Sequence, residues 1–321
     1  MKIFVIGSGR WGTFIAWYLD SIGHTVSLYG RQSSEKMQQL IATRKNGVLS
    51  LPESITLTTS LDTVSDFDAV LISIDSQGLS SLMQTLAPHK LKNKIFILCM
   101  KGIEIGTGRR LSEIVSDSQD KSNTVAVWLG PGHVQEFYSG KPNCMVIDSE
   151  SAQTKALLVR ELSSSLIRFY YGTDIIGNEI GAAAKNVIGI AAGMLDGLGI
   201  SSLKGALMAR APREISRLVV SLGGNPTSVY GLCHLGDYEA TVFSKYSHNR
   251  KYGESLITGE TCEGLAEGYY TAKAIVELAE KYSVDMPICS AVYRIIYESA
   301  DPKEEIERLF ERALKPEFDF D

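Results

Sequence analysis

One short segment restricts this chain more than any other. Lys2 leads into the apolar run Ile3-Phe4-Val5-Ile6, which is followed by Gly7-Ser8-Gly9-Arg10-Trp11-Gly12. Trp11–Ile22 then has Phe14, Ile15, Tyr18 and Leu19 on one helical face, and Thr25–Tyr29 reads as a second strand. A G-x-G-x-x-G turn alone is a weak signal. Placed after a strand and at the start of a helix, in a strand–helix–strand unit, it is the fingerprint of a dinucleotide site. Gly7 permits the tight turn, Gly9 lets the backbone approach a pyrophosphate, and Gly12 allows close helix–strand packing. Ser8, Arg10 and Trp11 flank the helix N-terminus, whose unpaired N–H groups suit phosphate oxygens.

The residues after the second strand bear on which dinucleotide is bound. An NAD-selective site carries Asp or Glu there, to bond the ribose 2′-hydroxyl. This chain has Gly30-Arg31 instead; Asp20 comes too early and Glu35 too late. Gly30 leaves room and Arg31 can pair with a 2′-phosphate, so NADP(H) is favoured, with NAD(H) as the alternative.

At 321 residues the chain is long enough for two domains. Apolar strand-like runs at Ala69–Ile74, Ile95–Leu98, Val125–Leu129 and Cys144–Ile147 alternate with helical stretches near Ser33–Lys45, Leu79–Leu86, Arg109–Val115 and Ala152–Ser163. Such alternation implies a parallel sheet covered on both faces. Beyond about residue 175 strands nearly vanish, and helices are expected at Glu179–Leu198, Leu203–Leu222, Glu263–Tyr282, Ile288–Glu298 and Glu304–Leu314. The fold class is therefore α/β: an N-terminal Rossmann-type doubly wound sheet over residues 1–177, then an all-helical substrate and catalytic domain over 178–321.

Composition excludes several classes. With 44% hydrophobic and 21% charged residues the chain is globular rather than disordered. A net charge of −5 lacks the basic footprint of a nucleic-acid binder. Five cysteines with no C-x-x-C pair argue against a disulfide framework or zinc site and fit a reducing compartment. The apolar start is broken by Gly7, Gly9 and Arg10, too soon for a signal core. Ile180–Ile200 is long and apolar, but it contains Lys185 and Asp196, so it reads as a buried helix and not a membrane span. A soluble cytoplasmic protein is expected, with a small-molecule partner and no metal; a homodimer stays open.

Three regions carry candidate chemistry. Lys101, in Cys99-Met100-Lys101-Gly102-Ile103-Glu104, follows a buried strand, at the strand end where ligands bind in such sheets. Lys185 lies deep in the apolar helix; desolvation lowers the pKa of such a lysine and suits it to proton transfer near neutrality. Lys185, Ile188, Gly189, Ala192 and Asp196 share a stripe whose small residues leave space beside the lysine, while Asp196 lies too far along to pair with it. Gly231–Tyr238 and Ser247-His248-Asn249-Arg250-Lys251-Tyr252-Gly253 read as polar loops suited to a phosphate ester.

Taken together, the Gly7–Gly12 fingerprint, Lys101-Gly102-Ile103-Glu104, Gly130-Pro131, Lys185-Asn186, Gly236-Asp237, Ser247/Asn249-Arg250 and Glu267-Gly268 resemble, in order and over nearly the whole chain, the bacterial-type NAD(P)-dependent sn-glycerol-3-phosphate dehydrogenases. The resemblance implies interconversion of dihydroxyacetone phosphate and glycerol 3-phosphate, feeding phospholipid synthesis, and a helical domain like that of 6-phosphogluconate dehydrogenase. It implies that Lys185 is the general acid/base and that Lys101 contacts substrate and cofactor. Gly130, Gly132, Asp237, Ser247, His248, Asn249 and Arg250 fall at substrate positions. Arg10, Trp11, Arg31, Val134 and Glu267 fall at cofactor positions.

Four residues depart from the family pattern. Gly132 stands where a Ser or Thr is usual, Arg10 where a small polar residue is usual, and Asp75 where a Pro is usual. His248 replaces an arginine that grips the substrate phosphate; histidine lacks the bidentate fork and is only partly charged at pH 7. These changes leave open a related dehydrogenase of another small ketone and, from a different class, a non-catalytic NAD(P)-binding protein. The presence of both Lys101 and Lys185 argues against the latter.

Overall fold

The structure is a computed structural model that describes residues 1–317 apart from Lys245, Glu263, Leu265 and Lys315. Its strands are β1 (Lys2–Ile6), β2 (Thr25–Tyr29), β3 (Lys45–Asn46), β4 (Leu49–Ser50), β5 (Thr56–Thr58), β6 (Ala69–Ile72), β7 (Ile95–Leu98), β8 (Thr124–Leu129), β9 (Asn143–Ser149) and β10 (Ile167–Tyr171). Helices α1 (Arg10–Ser21), α2 (Glu35–Thr43), α3 (Leu79–Leu86), α4 (Leu111–Ser118), α5 (Val134–Tyr138) and α6 (Ala152–Leu162) cover the sheet. Helices α7 (Ile175–Gly197), α8 (Lys204–Ser221), α9 (His248–Thr258), α10 (Glu267–Lys281), α11 (Pro287–Tyr297) and α12 (Pro302–Phe310) follow it.

Eight strands form one sheet in the order β10-β9-β8-β7-β6-β1-β2-β5, while β3 and β4 make a separate antiparallel ribbon. Strand β1 lies between β2 and β6, with Ile6 level with both Tyr29 and Ile72. The chain order reverses there, so the carboxyl ends of these strands open onto the crevice where doubly wound sheets bind ligands. β6 is buried throughout and β1 at all but its first residue, as strands covered on both faces must be.

The sheet is not parallel throughout. β9 runs antiparallel to β8, and β10 is parallel to β9. The five-residue α5 is too short to carry the chain back across the sheet for a parallel return, so β9 retraces the direction of β8. Three-residue β5 is too short to show in the residue pattern, and β10 is masked because buried and exposed residues mix at the sheet edge.

Helix α7 is the axis of the second half. Its residues from Gly177 to Leu195 are all buried, which explains an apolar run the length of a membrane span without one. No helix among the described residues is long and apolar enough to cross a membrane. The expected boundary at 177/178 falls in the first turn of α7, three residues beyond the end of β10 and the intervening turn. Two buried carboxylates tie α7 to the sheet side. Glu179 accepts from the Ser112 amide (2.9 Å), the Ser112 hydroxyl (2.5 Å) and Arg110 (2.8 Å). Asp148 accepts from the Asn178 side chain (2.8 Å), the Asp174 amide (3.0 Å) and Lys155 (3.1 Å).

The expected polar loop at Ser247–Gly253 is instead the start of α9: Ser247 caps it by accepting from the Arg250 amide. α9 crosses α7 at very close range. A Cβ on Gly253 would strike the Ile190 backbone, and one on Gly193 the Arg250 carbonyl. Thr241 and Asn249 likewise close on Gly189, so part of the small-residue stripe on α7 is filled by the chain's own residues, while a cavity remains beside Lys185. The expected helix at Glu263–Tyr282 begins at Glu267; Glu263 itself lies outside the described residues. Cys99, Cys233 and Cys289 are buried in the core as free thiols.

Candidate active site

The glycine-rich turn is shaped by steric exclusion. Gly7 has φ +124°, and a Cβ there would run into the Ser73 carbonyl; a Cβ on Gly12 would run into the Gly7 carbonyl. Gly9 faces open space, and α1 starts from it with no side-chain cap. The first N–H groups of α1 are thus left for an anion that approaches the open side of Gly9, and the turn fits the pyrophosphate of a dinucleotide. Asn46 on β3 holds the turn by donating to the Ser8 carbonyl (3.2 Å) and the Thr13 hydroxyl (2.8 Å). Thr13 in turn donates to the Gly9 carbonyl (2.8 Å). Nothing in the spacing of the sequence pointed to Asn46, because its ribbon is two residues long.

Arg10 and Arg31 are exposed, Arg10 at the start of α1 and Arg31 just beyond β2. Gly30 does not leave the expected room. A Cβ there would meet Ser8 Oγ at 2.7 Å and Met37 at 2.8 Å, so its glycine answers to packing of α2 on the turn. The Trp11 ring lies at a tilt against Phe14 and Phe137, with centroids 5.2 and 6.3 Å away, and Val134 is buried. Asp75 replaces the expected proline and caps a short turn by accepting from the Gln77 amide (3.1 Å).

Beyond the carboxyl ends of the strands lies a cavity of about 300 Å³ lined by Lys101, Gly132, His133, Lys185, Asp237, Thr241, Ser247, His248, Asn249 and Glu267, together with Ala240. Two lysines from distant parts of the chain meet there on one carboxylate oxygen. Asp237 Oδ2 accepts from Lys101 Nζ at 2.6 Å and pairs with Lys185 Nζ at 2.8 Å, and Asp237 is 1% exposed. Lys101 also donates to the Gly130 carbonyl (2.9 Å). The Thr241 hydroxyl donates to the Asp237 carbonyl (2.8 Å) and so presents its lone pairs to Lys185 Nζ, also at 2.8 Å. Thr241 escaped the sequence reading, although its place four residues after Asp237 sets both on one face of the turn.

The shared carboxylate splits the two ammonium groups electrostatically. Burial drives the Lys185 pKa down, Asp237 opposes this and the Lys101 charge adds to it, leaving about 8. Burial also lowers Lys101, but Asp237 outweighs it and holds that amine above the ordinary lysine value. One lysine is thus a fixed charge, while the other can gain and lose a proton near neutrality.

The turn bearing Asp237 is anchored to α7 through His234. Its Nδ1 donates to the Gly181 carbonyl (2.8 Å), and its Nε2 accepts from the Tyr238 hydroxyl (2.8 Å). Burial holds this imidazole down at about 4, so it stays neutral. On the other side, Asn249 donates to Asn186 Oδ1 (3.0 Å) and accepts from the Gly268 amide (2.9 Å). Asn186 reaches Glu267 at 3.4 Å. Burial raises the Glu267 carboxyl to about 7, against the pull of Lys101.

Ser247, His248 and Asn249 form the N-cap and first turn of α9 and face the cavity together. Arg250 does not. Its guanidinium is committed to Asp196 (2.5 Å) and Glu254 (3.2 Å), and Asp196 also binds Lys204 (2.6 Å). Arg250, expected at the substrate, is thus tied up in ion pairs and does not line the cavity. Asp196 anchors the end of α7, as its distance from Lys185 required. Gly132 has φ +151°, and a Cβ there would collide with the Phe137 ring, so the hydroxyl expected at this position has no place beside that ring. No cluster that could hold a metal occurs among the described residues.

Comparison with known proteins identifies the family and the fold. Family models described as NAD-dependent glycerol-3-phosphate dehydrogenase N-terminus and C-terminus match residues 2–155 and 174–307. Proteins named glycerol-3-phosphate dehydrogenase NAD(P)+ from Prosthecochloris aestuarii and Chlorobium limicola are each 35% identical, over 333 and 332 residues. Each alignment spans 99% of this chain, with 100% and 99% of the relative. A crystal structure of glycerol-3-phosphate dehydrogenase from Coxiella burnetii superposes with a TM-score of 0.91 at 28% identity, covering 97% of this chain and 99% of that one.

Proposed function

Because the chain belongs to the NAD-dependent glycerol-3-phosphate dehydrogenase family, we propose that it interconverts dihydroxyacetone phosphate and sn-glycerol 3-phosphate and so supplies glycerol 3-phosphate for phospholipid synthesis. It is an NAD(P)-dependent oxidoreductase. The observation that carries the reading is the meeting of Lys101 and Lys185 on Asp237 inside the cavity. A protein that only binds a dinucleotide has no use for a desolvated lysine with a pKa near 8.

When bound, the reduced nicotinamide supplies a hydride for the ketone carbon. In that reduction Lys185 carries the proton on Nζ and delivers it to the ketone oxygen as negative charge gathers there. Lys101, held charged by Asp237, adds positive potential at the same place. In the oxidative direction neutral Lys185 takes the hydroxyl proton. Asp237 and Thr241 keep the Lys185 amine in position, because each supplies an acceptor at 2.8 Å. The N-terminus of α9, with His248 and the Ser247 and Asn249 positions, is the phosphate end: its free N–H groups and dipole suit a dianion. Gly7, Ser8, Gly9, Arg10 and Gly12 would hold the pyrophosphate, with Trp11 and Val134 packed behind and Glu267 across the cavity. Exposed Arg31 favours NADP(H), since its guanidinium can fork onto a 2′-phosphate.

The test is steady-state oxidation of NADPH and of NADH by the purified protein with dihydroxyacetone phosphate, beside several other small ketones. Turnover strongest with dihydroxyacetone phosphate is expected. Turnover of another ketone alone would point to a related dehydrogenase, and no turnover at all to a binding protein.

A further inference from the structure

His234 is fully buried and does not line the cavity, yet both of its ring nitrogens are engaged beside it. The Gly181 carbonyl can only accept, so Nδ1 carries the ring proton and donates at 2.8 Å; Nε2 is left to accept from the Tyr238 hydroxyl at 2.8 Å. The Tyr238 ring stands edge-on to the imidazole, with centroids 4.9 Å apart. A Cβ on Gly181 would lie 3.0 Å from His234 Cβ, so glycine lets the histidine come this close. A buried histidine with both nitrogens bonded is commonly just a satisfied part of a core. The acceptor sets this one apart. In α7 the Gly181 carbonyl also receives the amide four residues on, which is that of Lys185.

The contacts form a closed circuit that leaves Lys185 and returns to it. Its helical turn holds the His234 ring through Gly181, the His234 carbonyl accepts from the Asp237 amide at 3.0 Å, and Asp237 Oδ2 pairs with Lys185 Nζ at 2.8 Å. The three-residue turn Leu235–Asp237 has no side-chain cap of its own. We propose that His234 is a positioning residue of this reaction, which sets the Asp237 carboxylate against Lys185 Nζ by tying the Asp237 turn to the same turn of α7 that carries the lysine. This assignment rests on the function proposed above. Burial holds the imidazole down at about 4, with Lys185 pushing the same way against Asp237 and the Gly181 bond, so the tie keeps one form at every working pH. The Lys185 amine itself faces the charges of Asp237, Lys101 and Glu267.

The experiment measures kcat/KM for dihydroxyacetone phosphate reduction from pH 5 to 9 in full-length wild type, His234→Phe and His234→Asn. Phenylalanine fills the space of the ring without a donor; asparagine sets an N–H where Nδ1 stands. In wild type the rate should break near pH 8, with Lys185. An Asp237 carboxylate that drifts from Lys185 stabilises the ammonium less. The His234→Phe break should therefore move down by about one unit, part of the roughly 1–3 units that an adjacent opposite charge supplies. That is a loss of about 3- to 5-fold at pH 8, shrinking as the pH falls. His234→Asn should bring the break back towards wild type. NADPH binding, followed by fluorescence, reports the fold; should His234→Phe not fold, His234→Leu takes its place. A break that stays near pH 8, with a uniform loss or none, would overturn the assignment, make His234 a core residue only and leave the dehydrogenase reading standing. A break in His234→Asn as low as that in His234→Phe would overturn it too, since the shared donor would then count for nothing. A wild type inactive on dihydroxyacetone phosphate overturns both.

Discussion

Asp237→Asn is the substitution that most directly tests how the site works. It keeps the size of the side chain but removes the charge that Lys101 and Lys185 share at 2.6 and 2.8 Å. A lysine that loses an adjacent opposite charge falls by about 1–3 pKa units. Lys185, already lowered by burial to about 8, should drop to about 5–7. The sign follows from which form is cationic: the carboxylate stabilises the ammonium, so removing it favours the neutral amine. At pH 7 the protonated share would go from about nine-tenths to about one-tenth for a two-unit fall. The weaker hold on the proton also makes it a stronger donor, which offsets part of the loss, so reduction should slow by about 3- to 10-fold at pH 7. The assay is kcat/KM for dihydroxyacetone phosphate reduction from pH 5 to 9 in both proteins, so that titration of the substrate phosphate cancels between them. Wild type should hold its rate up to about pH 8 and then decline; the variant should begin to decline 1–3 units earlier. A bend that stays near pH 8 in the variant would refute the claim that Asp237 sets the Lys185 proton affinity. A uniform loss across the whole range would show that Asp237 serves only to place the lysines.

Lys185→Met should bind NADPH normally yet lose about 100-fold or more in turnover, the scale of a missing general acid; near-normal turnover would make Lys185 structural. Arg31→Ala should raise the KM for NADPH much more than that for NADH, and equal effects would place Arg31 away from the ribose. His248→Arg should lower the KM for dihydroxyacetone phosphate and weaken its pH dependence, because an arginine brings a bidentate fork charged at every working pH; an unchanged KM profile would mean that the α9 N-terminus holds the phosphate without residue 248. Gly132→Ser should destabilise the protein by about 1–3 kcal/mol in denaturant unfolding, from the positive φ alone, and an unshifted midpoint would show that the backbone at 132 relaxes to a conformation open to other residues.

Much of the frame was legible in the residue order because it depends on local physics. The Gly7–Gly12 turn announces itself, since only glycine tolerates φ +124° at Gly7 and the backbone approach at Gly12. Apolar pattern located β1, α1, β2 and α7 within a few residues, because burial leaves a largely apolar run in β1, β2 and α7 and one apolar face on α1. The buried Lys185 stood out for the same reason. The tertiary structure decided what depends on residues far apart in the chain. The antiparallel turn of β9 was hidden because strand direction is set by the reach of the connection, not by the strand's own pattern. The polar run from Ser247 looked like a loop because α9 is held by glycine contacts with α7 more than by an apolar face of its own. The stripe of small residues on α7 could equally have admitted a ligand or another helix, and only packing showed that α9 fills part of it. Arg250 looked available for phosphate until Asp196, 54 positions earlier, was found against it. Lys101 and Asp237 are 136 positions apart, so no spacing rule could pair them. Proton affinity likewise depends on which charges end up within a few ångströms inside a low-dielectric cavity, and the order of residues fixes that only through the completed fold.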